Sequence, residues 1–76
     1  MPTVTVKVIE RVFTEEEKAE IIGRLTDALV EVEGEELRQH TLVTVEEVKS
    51  GDWGIGGTPM TTDAIRAVRK GRPVRA

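Results

Sequence analysis

Pro2 is the position where residue type and place in the chain together supply a base. Removal of Met1, which a small second residue permits, would leave the Pro2 ring nitrogen as a free secondary amine. An ordinary α-amine titrates near about 8, a secondary amine is more basic, and an apolar pocket lowers the value by disfavouring the charged form. A base poised near neutral pH takes a proton from carbon beside a carbonyl and returns it elsewhere, which is keto-enol tautomerisation. If Met1 stays, the nitrogen is a tertiary amide with no lone pair for such work. Arg11 and Arg38 each carry a guanidinium, whose paired donors suit a carboxylate. Each also reads as a loop arginine in a surface ion pair of small energetic worth. His40 has no carboxylate at a useful spacing and reads as a loop-to-strand junction rather than a proton shuttle. Glu46 and Glu47, adjacent on a strand, point to opposite faces and cannot act on one substrate as a pair.

The elements that must position these residues follow from pattern. Val4, Val6 and Val8 alternate with Thr3, Thr5 and Lys7, the period of a strand with one buried face. Thr14-Glu15-Glu16-Glu17 has the form of a capping box, with three acids suited to the positive end of a helix. Ile21, Ile22, Leu25, Ala28, Leu29 and Val32 then fall at helical spacing, and Gly34 is a natural stop. Alternation returns from Thr41 to Val48, with Val43 and Val45 on one face and Leu42, Thr44 and Glu46 on the other. Strand, long helix, strand predicts a βαβ unit: parallel strands and a right-handed crossover helix on the valine face. The other sheet face, carrying Thr5, Lys7, Ile9, Leu42 and Thr44, is then left bare for another subunit. Gly51-Asp52-Trp53-Gly54-Ile55-Gly56-Gly57 predicts a tight turn or hairpin, and its lack of a P-loop lysine argues against phosphate cradling. An indole in such a loop lines a pocket or an interface. A short helix from Thr62, capped by Thr61 or Thr62 and ended by Gly71 and Pro73, closes the chain.

Pro2 at the head of an alternating strand, a capped amphipathic helix, a second strand and the run Trp53-Gly54-Ile55-Gly56-Gly57 together resemble the 4-oxalocrotonate tautomerase family across nearly the whole chain. The resemblance implies a small α/β fold, a βαβ unit with a C-terminal hairpin, whose copies pair through their sheets and assemble into a hexamer. It implies a cofactor-independent isomerase in which Pro2 is the catalytic base and acid toward a small anionic enol or 2-oxo acid. Trp53 and Ile55 would form an apolar wall that lowers the proline pKa, with Leu42 as a further wall residue. The family's tautomerases hold a substrate carboxylate with the arginine of a Gly-Arg pair after strand one. Here the loop reads Glu10-Arg11-Val12-Phe13-Thr14, so counting from Pro2 puts Val12 in register, and Arg11 matches with a gap placed after it. A second family arginine lies early in strand two, where counting back from Trp53 puts Leu42, with Arg38 the nearest arginine. Other members of the wider superfamily add water to small unsaturated acids or remove halide, chemistry that a carboxylate such as Glu46 beside protonated Pro2 would suit. A non-catalytic oligomeric binding module with a vestigial site is the alternative of a different class.

Composition limits the remaining choices. At 76 residues the chain reads as one domain, 1–76, too short to bury a generous core alone. Without cysteine, and with His40 as its single histidine, it has neither disulfide staples nor a zinc set, so self-association is the expected support, a hexamer by the resemblance or else a dimer or trimer. Charged residues make up 33%, too many for a membrane span, and the opening alternation lacks the apolar run of a signal peptide, so the expected location is cytoplasmic. All fourteen acids precede residue 66, and Arg66, Arg69, Lys70, Arg72 and Arg75 form a basic tail. That tail lacks aromatics for base stacking and sits on an acidic body, so it reads as a solvated, partly frayed segment rather than a nucleic-acid site. Drawing small anions toward a nearby pocket is its other use.

Overall fold

The computed structural model describes residues 1–71. The elements run β1 (Thr3–Ile9), α1 (Glu15–Glu33), a 3-10 turn over Glu35–His40, β2 (Leu42–Val48), β3 (Trp53–Ile55), β4 (Thr58–Met60) and α2 (Thr62–Gly71). The chain divides into two compact units, Met1–Lys7 with Phe13–Glu46, and Val8–Val12 with Glu47–Ala76.

In the first unit β1 and β2 run parallel. The Leu42 amide donates to the Pro2 carbonyl at 3.1 Å, Thr44 lies against Thr5 and Glu46 against Lys7, so positions rise together along both strands. Val4, Val6, Val43 and Val45 are half-buried while Thr3, Thr5, Lys7, Leu42, Thr44 and Glu46 are exposed, as the alternation requires. Helix α1 begins at the capping box: the Thr14 hydroxyl accepts from the Glu17 amide at 3.1 Å, and the Glu17 carboxylate accepts from the Thr14 amide at 2.9 Å. Its covered side runs through Ile21, Leu25, Leu29 and the buried Val30. The expected stripe needs correction, because Ile22 and Ala28 are exposed and Val32 is 89% exposed. Turning the helix toward Val30 leaves those three outside. Gly34 ends α1 at φ 105, a conformation that favours glycine, with its amide donating to the Val30 carbonyl. The backbone then continues into the 3-10 turn instead of opening into a loop, and the Thr41 hydroxyl lies within hydrogen-bond distance of both the Leu37 carbonyl and the Glu33 carboxylate, sharing its one proton between them.

In the second unit the Glu10 amide donates to the Val48 carbonyl. Val8 and Ile9 are both buried there, and since neighbouring strand residues face opposite sides, both sides of this end of β1 are covered. Ile9 therefore does not belong to the bare face on which the alternation placed it. Strands β3 and β4 pair antiparallel with Trp53 opposite Met60 and Ile55 opposite Thr58. The two residues between them, Gly56 and Gly57, both have positive φ, the type I′ geometry whose twist matches a hairpin. Thr61 caps α2, its hydroxyl accepting from the Ala64 amide and its carbonyl from the Ile65 amide. The hairpin and the short helix are thus both present. Residues 66–71 of the basic segment are helical where fraying was expected, while Arg72, Pro73 and Arg75 lie outside the described residues. No helix among the described residues is long and apolar enough to cross a membrane.

Candidate active site

Pro2 stands directly before β1 and is half-buried, whereas Met1 ahead of it is 81% exposed. The parallel ladder places it: the hydrogen bond from the Leu42 amide fixes the Pro2 carbonyl, so the first residue of β2 lies beside the proline. Leu42 itself is 51% exposed on the threonine face, and Glu46 follows on that face with its carboxylate 3.8 Å from the Lys7 ammonium. Arg38 lies in the 3-10 turn with its donors engaged: Nε meets Glu35 at 2.5 Å and Nη1 meets Asp27 at 2.9 Å. These bonds hold the guanidinium more firmly protonated, and the one from Arg38 pulls the Glu35 carboxyl below its ordinary range. His40 is exposed at the end of the same turn.

Arg11, Trp53 and Ile55 belong to the second unit. Trp53 is half-buried and Ile55 exposed, two residues apart on β3 and so on the same face. Arg11 has φ 61, left-handed backbone that is uncommon for a residue with a side chain. Its guanidinium extends toward solvent and pairs with the Glu10 carboxylate at 3.1 Å. That carboxylate also accepts from the Ser50 amide at 2.8 Å, and this bond first, then Arg11, holds the Glu10 carboxyl below the usual glutamate range. Left-handed backbone is where glycine is preferred, so residue 11 holds a conformation that few residues with a side chain adopt.

One set of contacts is not expected from the sequence, which offers Thr62 as a helix cap and Arg66 and Arg69 as part of a solvated basic tail. The Thr62 hydroxyl donates to the Glu10 carbonyl, Arg66 Nε to the Arg11 carbonyl and Arg69 Nη1 to the Val12 carbonyl, at 2.8, 2.7 and 2.8 Å. Three successive carbonyls thus receive donors from positions on successive turns of α2. Ser50 ties the same corner, its hydroxyl accepting from the Thr62 amide. Thr62 is 1% exposed, a buried hydroxyl with its partner in place. The sequence signal was the spacing of Thr62, Arg66 and Arg69 along one helix face. Among the described residues no three histidine, aspartate or glutamate side chains gather as a metal set.

The sequence matches the family described as tautomerase enzyme over residues 2–63, and the chain belongs to that family, in its 4-oxalocrotonate tautomerase branch. It is 34% identical over 61 residues to the probable tautomerase K2 of Dickeya dadantii (strain 3937), covering 80% of this chain and 90% of the relative. A solved structure from a kinetic and structural characterization of the 4-oxalocrotonate tautomerase isozymes of Methylibium petroleiphilum superposes with a TM-score of 0.68 at 31% identity. That match covers 84% of this chain and 97% of the other. The fold is the tautomerase fold, and the activity indicated by the family is that of an isomerase on small substrates. Most of α2 lies beyond the family match, which stops at residue 63.

Proposed function

We propose that this chain is a cofactor-independent tautomerase that interconverts the enol and keto forms of a small 2-oxo acid, with Pro2 as base and acid after loss of Met1. In the ketonising direction the Pro2 nitrogen accepts the enol hydroxyl proton, the oxygen lone pair forms the carbonyl, and the double-bond electrons take a proton from the protonated proline at carbon. Trp53, Ile55 and Leu42 are the proposed apolar wall, which favours the neutral amine. Arg11 is the proposed carboxylate holder, with Arg38 as the alternative, although Arg38 would first have to leave Glu35 and Asp27. A sheet-paired hexamer is the proposed assembly, in place of a dimer or trimer. The exposed Thr5, Leu42 and Thr44 support it, as does a core whose buried apolar residues among those described are Val8, Ile9 and Val30.

The observation that carries the reading is the placement of Pro2. The family match begins at that residue, the proline is half-buried beside Leu42, and the methionine to be removed is exposed. The test is ketonisation of phenylenolpyruvate by protein whose intact mass shows that Met1 is gone. Pro2→Ala should lose most of the activity, and a variant that keeps it in full refutes Pro2 as the base. A second reading rests on Glu46, exposed on the Leu42 face. A carboxylate there would activate water for addition to a small unsaturated acid, and hydrated product that disappears in Glu46→Gln would favour it. Absence of both activities leaves a non-catalytic binding module.

A further inference from the structure

We infer that helix α2 is a positioning element for the substrate carboxylate, in which Thr62, Arg66 and Arg69 hold the Glu10–Val12 backbone so that Arg11 keeps its left-handed conformation. The inference rests on the proposed role of Arg11 as the anion holder. An arginine with φ 61 has no local reason to stay there, because extended or right-handed backbone is more favourable for any residue with a Cβ. What keeps it there must come from elsewhere in the chain. The partners are the donors on α2, one for each carbonyl of the three-residue corner, at hydrogen-bond distances of 2.7–2.8 Å. The Arg66 and Arg69 bonds are charge-assisted, which makes them stronger than amide pairs. Glu10 completes the clamp from inside the corner, taking the Ser50 amide with its carboxylate while its carbonyl takes Thr62. Because Arg66 and Arg69 donate to backbone, they set where the Arg11 side chain starts and leave its guanidinium to pair with Glu10 or to exchange that partner for a substrate anion. The basic charge of α2 therefore serves loop geometry, and these two arginines have specific partners.

The test compares wild type, the double variant Arg66→Ala/Arg69→Ala and Arg66→Lys, using phenylenolpyruvate and its uncharged methyl ester. The double variant should raise KM for the acid about ten-fold or more, the worth of one charged hydrogen bond, with kcat little changed and the ester unaffected. Lysine at 66 retains a donor beside the unchanged Arg69 and should leave KM for the acid close to that of wild type. Adding Arg11→Ala to the double variant should bring little further loss, because both changes remove the same contact. A fully additive loss would mean that Arg66 or Arg69 meets the substrate directly, and would overturn the positioning role. NMR supplies a readout independent of turnover: the backbone shifts of Arg11 should leave the left-handed range in the double variant. Their retention overturns the inference even if wild type proves to have no ketonising activity, an outcome that would count separately against the proposed function.

Discussion

Replacing Arg11 by glycine and, separately, by alanine isolates the backbone strain at this corner. Both changes delete the guanidinium and its pair with Glu10, so their difference reports the backbone alone. At an ordinary position glycine is the less stable of the two by about 0.5–1 kcal/mol, because it loses more freedom on folding. At φ 61 the alanine Cβ costs about 1–2 kcal/mol, which glycine avoids. The two terms oppose each other, and the second is larger. The expected result is a reversed order, with Arg11→Gly more stable than Arg11→Ala by about 0.75 kcal/mol from the mid-points of the two ranges. Relative to wild type the glycine variant should be nearly neutral, since the ion pair it loses is exposed and screened by water. Urea unfolding at one fixed protomer concentration measures this, the fixed concentration being needed because assembly adds to apparent stability. An alanine variant equal to or more stable than the glycine variant would refute the argument that α2 holds residue 11 in a strained conformation. The same two proteins test the anion-holding role: KM for phenylenolpyruvate should rise by roughly 10- to 150-fold in both, from about 1.5–3 kcal/mol of charged hydrogen bonding.

Three further outcomes follow from other parts of the chain. Thr14→Ala removes one half of the capping box and should lower stability by about 1 kcal/mol in denaturant unfolding, with the helix still formed. The Glu10 carboxyl, held low by the Ser50 amide and then by Arg11, contributes stability above the ordinary carboxylate range and loses it as pH falls through its depressed value. The stability gap between wild type and Glu10→Gln should therefore narrow on passing from neutral into acid solution, and a constant gap would contradict the assignment. Thr44→Asp adds a charge to the exposed sheet face and should shift the protein to smaller species in sedimentation velocity, whereas an unchanged sedimentation coefficient would place subunit contacts elsewhere.

The elements were legible wherever the determining physics is local. The capping box joins residues three apart, the strands declare themselves by alternation, and Gly56-Gly57 specifies its turn because few other residues accept positive φ twice in succession. Helix α1 was found correctly, and Ile21, Leu25 and Leu29 lie on its covered side as expected, but Ile22, Ala28 and Val32 do not. Val30 and Val32 are chemically identical, and which one is covered depends on a rotation that periodicity alone leaves loose. Arg38 shows the same limit for charge: Glu35 lies within its own turn, but Asp27 reaches it from the long helix.

From its sequence alone, the chain had a parallel βαβ unit with a hairpin and short helix after it, and Pro2 as the position around which chemistry would be arranged. Hydrophobic period, caps and turn residues act over a few positions, so they can be read without coordinates. Only the tertiary structure decided that Ile9 is buried, that Arg38 is engaged, and that Arg11 adopts the backbone of a glycine. It also turned a basic C-terminal segment into donors for the carbonyls of residues 10–12. Those bonds join residues more than fifty positions apart. No local pattern encodes such a partner, because the choice is made only when the folded chain brings an unsatisfied carbonyl and a donor to the same place.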